Sequence, residues 1–292
     1  MAARPNSPWF ALKTPPPERL KIAGSEYRLT LVFKHDFWAA TCLYEPVAPA
    51  AAGDVGAAGA TPKAVVKLYR GRRLGIVPLT WVGRRSRNHE RAVYRALAGL
   101  AGVPRWLDEI GPTGMAIEYI DARPIDQVEA LPAGFFDRLR TLMDQVHARG
   151  VAYVDSNKRS NILVDSAGGA HLIDFQISIL PAAWPWPLRP LGRTLMRYFQ
   201  GRDLYHLYKH KRCLAPAELT PEEEEISRRR DLLHRLHRRL IKPYKRLRRG
   251  FLRKRHQDGR LISPTADLET HQQPEKETWR TGPNTPDRGK GR

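Results

Sequence analysis

Asp155 and Asn161 stand six residues apart in Tyr153-Val154-Asp155-Ser156-Asn157-Lys158-Arg159-Ser160-Asn161, immediately before the apolar run Ile162-Leu163-Val164. A second aspartate, Asp174, closes the next apolar run, His171-Leu172-Ile173. Far upstream, Lys67 lies near the end of the β-branched stretch Ala64-Val65-Val66-Lys67-Leu68-Tyr69, and Glu90 follows in a helical pattern. Phosphoryl transfer asks for cations on the phosphates, a group that orients the acceptor hydroxyl, and little else. Lys67 can place a charge on the phosphates if a carboxylate fixes its flexible stem. Glu90 is the natural partner, with Glu109 and Glu118 as competitors. Asp155 can accept a hydrogen bond, and then a proton, from a hydroxyl. Asn161 and Asp174 offer the hard oxygen ligands that magnesium prefers.

Each residue also has a plainer reading. A lysine on an apolar strand usually snorkels at a sheet edge, and a helical glutamate is usually solvated. Asp155 and Asn161 are ordinary turn residues by type, and Asp174 can simply end a strand. The order decides between the readings: Lys, Glu, Asp, Asn, Asp fall on strand, helix, loop, strand edge and strand end.

The elements that position them can be read in outline. Residues up to 24 are Pro- and Lys-rich and read as a flexible lead-in. Tyr27, Leu29, Leu31 and Phe33 alternate with other residues and predict a strand, with Ala39–Glu45 as its antiparallel mate. Pro46–Lys63 is an Ala/Gly/Pro stretch that reads as a long loop. After the lysine strand, Ser86-Arg87-Asn88 can cap a helix through Glu90, Val93, Tyr94 and Leu97. Met115–Ile120 predicts another strand, and Asp121–Pro124 a turn. Phe135, Phe136, Leu139, Leu142, Met143 and Val146 recur at steps of three and four, a buried helical stripe ended by Gly150. Ile162–Val164 and His171–Ile173 are short enough for a hairpin. Leu191 to Tyr208 reads as helical. Thr220-Pro221-Glu222-Glu223 has the cap, first-turn proline and spaced glutamate of a helix start.

Residues 26 to about 215 resemble bacterial members of the protein-kinase-like superfamily, close to the lipopolysaccharide (Kdo/heptose) kinases and the RIO-type serine/threonine kinases. The phrases that carry the resemblance are Phe33–Ala40, Asp155–Asn161 and Leu172-Ile173-Asp174-Phe175-Gln176-Ile177-Ser178. It implies an α+β, bilobal fold with a small antiparallel-sheet N-lobe over residues 25–120 and a mainly helical C-lobe over 121–219. It further implies an ATP- and Mg2+-dependent kinase with Asp155 as catalytic base, Asn161 and Asp174 as metal ligands, and Lys67 on the phosphates. Lys158 is a candidate contact to the γ-phosphate, and Lys34, Glu118 and Ile120 join Lys67 and Glu90 in the nucleotide-binding set. The sequence departs from the conventional pattern in four places. Lys34-His35-Asp36-Phe37-Trp38 has no glycine where a phosphate loop usually does, so backbone amides have less room to approach phosphate. Tyr153-Val154 replaces His-Arg, the Asp-to-Asn spacing is one residue longer, and Gln176 follows Asp-Phe in place of Gly. No Ala-Pro-Glu follows, which favours a non-peptide acceptor. In kinases a helical aspartate beyond the core can anchor the catalytic loop; Asp203 is placed on a solvated helix face in preference to that role, and His206 and His210 are placed in solvent too.

The whole chain has 292 residues and a formal charge of +20, unevenly spread. Between Arg228 and Arg255 there are 14 basic residues and one acid, Asp231, within a basic helical extension assigned to 220–262; 263–292 reads as a disordered tail. Such a segment points to polyanionic partners, an anionic membrane surface or nucleic acid, with lipid the favoured one. Trp184-Pro185-Trp186-Pro187-Leu188-Arg189, with Leu195, Met196, Tyr198 and Phe199 downstream, sets aromatics beside cations. That suits a membrane-interface helix, or more ordinarily one that closes a lobe. Two cysteines exclude a disulfide framework and a complete thiol metal site. Without an apolar leader or a membrane-spanning run, the expected location is the cytoplasm, with peripheral contact to the inner membrane face. Acceptors in keeping with these features are a glycolipid sugar or a protein hydroxyl. The alternative is a non-catalytic kinase-like adaptor that binds membrane or RNA through the basic helix.

Overall fold

The structure, a computed structural model, describes residues 11–228 except 13, 36–37, 48–60 and 72–78, and describes Lys34 and His35 by their backbone. Six strands form one antiparallel sheet: β1 (Arg19–Ile22), β2 (Ser25–His35), β3 (Ala39–Pro46), β4 (Ala64–Tyr69), β5 (Trp106–Ile110) and β6 (Gly114–Glu118), in the order β1-β2-β3-β4-β6-β5. Helix α1 (Thr80–Ala96) packs on it. The second lobe has the three-stranded sheet β7 (Ala122–Pro124), β8 (Ile162–Asp165) and β9 (Ala170–Leu172), with helices α2 (Phe135–Ala148), α3 (Arg189–Leu214) and α4 (Pro221–Arg228). This is the α+β, two-lobed architecture expected from the sequence.

Period-two alternation explains how the first sheet divides its side chains. Along β4, Ala64 and Val66 join Ile22, Tyr27, Val32, Cys42 and Tyr44 in one buried cluster. Lys67 and Tyr69 face the other way, toward α1. The second cluster is larger and continuous across the lobes. It runs from Tyr69, Met115 and Ile117 through Val93, Tyr94 and Leu97 to the α2 stripe, β8 and β9, and ends on Leu207 and Tyr208 of α3. No disulfide joins Cys42, buried in the sheet, to Cys213, exposed on α3.

Three sequence expectations change and one strand is added. Order begins before Glu26, because Arg19–Ile22 pairs with Ser25–Arg28 as β1 instead of trailing as a lead-in. Helix α1 starts at Thr80, not at Ser86. Packing sets its first turn: a Cβ on Gly83 would lie 2.5 Å from the Arg70 carbonyl, so only glycine lets this turn approach β4. Ala122–Pro124, expected as a turn, is a strand paired to β8. Strand β5 was not foreseen, since every one of its residues is half-buried and no alternation marks it.

Helix α4 begins as its residues predict. Thr220 N–H donates to Glu223 Oε2 at 2.9 Å, and Glu223 N–H donates to Thr220 Oγ1 at 3.3 Å, a reciprocal capping box. Lys211, on α3, pairs with Glu223 at 2.9 Å and fastens α4 to the lobe. The remainder of the extension and the tail lie outside the described residues, as do most of the loop 46–63 and residues 1–10. Among the described residues no helix is long and apolar enough to cross a membrane.

Candidate active site

Lys67 occupies the middle of the sheet, in register with Thr41 on β3 and Met115 on β6. Its ammonium reaches two carboxylates at once, Glu90 Oε1 at 2.8 Å and Asp174 Oδ1 at 2.8 Å. Glu90 lies on the buried face of α1 and has no exposed surface. Asp174 follows β9 in the other lobe, so a single lysine bridges sheet, helix and second lobe. The competitors are engaged elsewhere: Glu109 pairs with Arg87 and Arg91, and Glu118 pairs with Arg105. Burial works against the Lys67 charge, but Asp174 and Glu90 outweigh it and hold its pKa well above the ordinary value. Burial pushes the Glu90 carboxyl up to about 7, with Lys67 pulling the other way.

The loop after α2 carries the second set. Asp155 Oδ2 accepts from Lys158 Nζ at 2.6 Å and from Asn161 Nδ2 at 2.8 Å. The extra residue between Asp155 and Asn161 is absorbed by two successive tight turns. Lys158 N–H donates to Asp155 O, and Asn161 N–H donates to Lys158 O, each at 3.1 Å. With its Nδ2 committed to Asp155, Asn161 has its Oδ1 to offer a cation. Burial raises the Asp155 pKa against the pull of Lys158, and the neighbouring Asp174 adds to the rise.

The backbone at both aspartates is unusual. Val154 has φ 71° and Asp174 has φ 63°, left-handed values that non-glycine residues adopt at a cost of order 1–3 kcal/mol. Contacts from α3 hold the first of them. The Asp203 carboxylate, fully buried, accepts from Tyr153 N–H and Val154 N–H at 2.8 Å and from Ser156 Oγ at 2.9 Å. His147 Nε2 lies 3.1 Å from it as well. Asp203 therefore anchors the loop and is not on a solvated face. Seven residues further, on the same side of α3, His210 is also buried and not in solvent. Its Nε2 lies 2.9 Å from Ser156 O, and Arg159 Nε donates to its Nδ1 at 3.3 Å. These contacts define the neutral ring with the proton on Nε2.

Tyr153, which departs from the conventional motif, is a strut. Its hydroxyl donates to Ile173 O, beside Asp174, and lies 3.3 Å from Asn161 O. Its ring meets Phe175 edge-on at 5.1 Å, and Phe175 meets Tyr94 of α1 at 5.3 Å. A line of three aromatics thus runs from the Glu90 helix to the Asp155 loop. Tyr153 O accepts from Ser178 Oγ at 3.0 Å, and His89 of α1 lies 2.8 Å from Ser178 O.

The remaining predicted residues make none of these contacts. Glu118 ends β6 and Ile120 lies in the link from β6 to β7, where Ala122 N–H donates to Ile120 O at 3.0 Å. The Glu118 side chain is spent on Arg105. Lys34, on β2, is opposite Thr41 of β3, and its side chain lies outside the described residues. Among the described residues no group of three His, Cys, Asp or Glu side chains could hold a metal ion. One aspartate and one asparagine nevertheless fit magnesium, which usually keeps several waters and takes other ligands from substrate phosphates.

No protein-family model matches the chain, and no curated protein matches it. Similar solved structures include the Rio2 kinase-ADP/Mg2+-phosphoaspartate complex from Chaetomium thermophilum, at 16% identity and TM-score 0.45. The match covers 65% of this chain and 57% of that one. Another structure of the Rio2 kinase from the same organism matches at 17% identity and TM-score 0.43, over 65% of this chain and 59% of the other. The chain therefore spans less than two thirds of either protein.

Proposed function

We propose that this chain is an ATP- and magnesium-dependent phosphotransferase that phosphorylates a hydroxyl. The observation that carries the reading is the buried Lys67, held at 2.8 Å from both Glu90 and Asp174. A charged lysine at the meeting of two lobes, fixed by one carboxylate and touching a second, is what binding of polyphosphate with a cation calls for. In this reading Lys67 contacts the phosphates and Glu90 holds its stem. Asn161 Oδ1 and Asp174 hold magnesium, which when bound offsets the charge that develops on the transferred group. Asp155 orients the acceptor hydroxyl and takes its proton, and its raised pKa suits that task. Lys158, half-exposed at 2.6 Å from Asp155, is placed to meet the γ-phosphate. The base lies along the Glu118–Ile120 link, where backbone and not the Glu118 carboxylate makes contact, and Lys34 borders the phosphates. The acceptor is a sugar hydroxyl of an envelope glycolipid or a protein Ser/Thr, met in the cytoplasm or at the inner membrane face.

The glycine-free β2–β3 turn favours a second reading, a kinase-like adaptor that binds anionic membrane or RNA without catalysis. A thermal-shift series with ATP, with and without magnesium, followed by transfer of labelled γ-phosphate, separates the two. The expected result is a magnesium-dependent rise in Tm that Lys67→Ala and Asp174→Ala remove. Asp155→Asn should keep the rise and lose roughly 10²–10⁴-fold in transfer or hydrolysis. Equal turnover by wild type and Asp155→Asn, with no shift from magnesium and ATP, would sink the enzyme reading.

A further inference from the structure

Between Phe175 and Arg202 the chain has four arginines and no acidic residue. Four of the large apolar side chains exposed among the described residues lie in its first part: Trp186 at 79%, Leu191 at 56%, Ile177 at 52% and Leu188 at 48%. This segment begins directly after Asp174. We infer that it is a docking surface for an anionic lipid bilayer, with Trp186, Leu188 and Leu191 entering the interface and Arg189, Arg193 and Arg197 meeting lipid phosphates.

The surface is built, not frayed. Trp184 folds inward against α3 at Gly192, where an added Cβ would lie 3.1 and 3.2 Å from the indole ring. Arg189 Nε donates to Trp184 O at 3.2 Å, and Leu188 N–H donates to Pro185 O at 2.9 Å. Short 3-10 turns at Pro181–Ala183 and Trp186–Leu188 stiffen the run. With Trp184 seated, Trp186 is left projecting. The inner end is fixed by the Ala152–Ile179 bridge, next to the catalytic loop. Three arginines at four-residue steps, all exposed, make a flank of α3 about 120–160° round the helix from Leu191, from which their long side chains reach back toward lipid phosphates.

The chemistry selects lipid over nucleic acid. Leucine and isoleucine side chains have nothing to pair with on a phosphate backbone, whereas tryptophan and leucine with arginine are the composition of interfacial helices. The inference is independent of whether the site transfers phosphate.

Co-sedimentation of the full chain with phosphatidylcholine/phosphatidylglycerol vesicles, against pure phosphatidylcholine, tests it. The wild type is expected to partition onto the anionic vesicles with a blue shift in tryptophan emission. The Trp186→Ala/Leu191→Ala double variant should bind at least about tenfold more weakly, from the apolar area lost to the interface. Both substitutions are at exposed positions, and an unchanged Tm verifies folding. Arg189→Gln/Arg193→Gln should weaken binding and reduce its salt dependence. Undiminished binding by the Trp186/Leu191 variant would assign lipid affinity to another part of the chain and overturn the inference. So would the absence of binding by the wild type, or tight RNA binding that the same variant abolishes while lipid binding persists.

Discussion

His210 is a titratable ring buried between the Asp155–Asn161 loop and a basic stretch of α3. Burial lowers its pKa to about 4, and the nearby Arg159 and Lys209 charges act in the same direction. An unfolded chain takes up this proton as the pH falls through about 6.5, the ordinary histidine value, whereas the folded chain resists until about 4. Stability from His210 is therefore complete above pH 6.5 and is lost progressively toward pH 4, at up to about 1.4 kcal/mol per pH unit. His210→Gln can keep both hydrogen bonds without titrating. Its Tm is expected to fall less than the wild type's between pH 7 and pH 5, by differential scanning calorimetry. Equal falls would remove His210 from the account. The Lys, Glu, Asp, Asn, Asp series was legible in the sequence because its members keep a fixed order on elements that local pattern predicts. Asp203 and His210 were not legible. A polar helical residue looks the same whether its face meets water or a loop, and only the docking of α3 decides. Tyr153 was visible as a departure, but its hydroxyl's partners, Ile173 O and Asn161 O, depend on the loop's tertiary path.

At the scale of elements, the joints between the lobes are tighter than the composition of their segments suggests. The turn after α1 presents Gly102 at φ 88°, with its carbonyl accepting from Leu172 N–H of β9 at 2.8 Å. A Cβ there would lie 2.5 Å from Ala170 O and 2.8 Å from a Leu142 methyl. Gly102→Ala combines a disfavoured φ with a backbone clash and should cost roughly 2–4 kcal/mol. Gly99, three residues earlier, has φ 80° and open space around its Cβ position. Gly99→Ala should cost only roughly 1–2 kcal/mol, from the left-handed φ alone. Urea unfolding of the two variants checks the difference; equal losses would mean that the contact with β9 is slack. Helices α2 and α4 were readable because an apolar stripe and a capping box are local signals. Strand β5 and the true start of α1 were not, because contact with β6 and with Arg70 sets them. The long Ala/Gly/Pro insertion between β3 and β4 leaves the pairing of those two strands unbroken from Ala39–Tyr69 to Tyr44–Ala64.

At the scale of the molecule, the larger core is shared by both lobes and so is the polar site. Tyr94, Phe175 and Tyr153 tie the Glu90 helix to the Asp155 loop, and Lys67 ties the sheet to Asp174. Nothing in a single segment of sequence reveals such joint ownership, since every contact is long-range. The Asp203 carboxylate is another such tie. It receives the amides of Tyr153 and Val154, which lie in a loop yet are closed by a helix fifty residues later at 2.8 Å each. Loop amides ordinarily trade their hydrogens with solvent through small local openings. Here release requires α3 to lift away, so the two amides should exchange with the slow kinetics of α3 itself. Native-state hydrogen exchange is expected to give Tyr153, Val154 and the Leu207–Tyr208 region a common opening free energy. In Asp203→Asn the first two should exchange faster while the α3 amides keep theirs. The loop that carries Asp155 is, by this measure, a kinetic part of the last long helix.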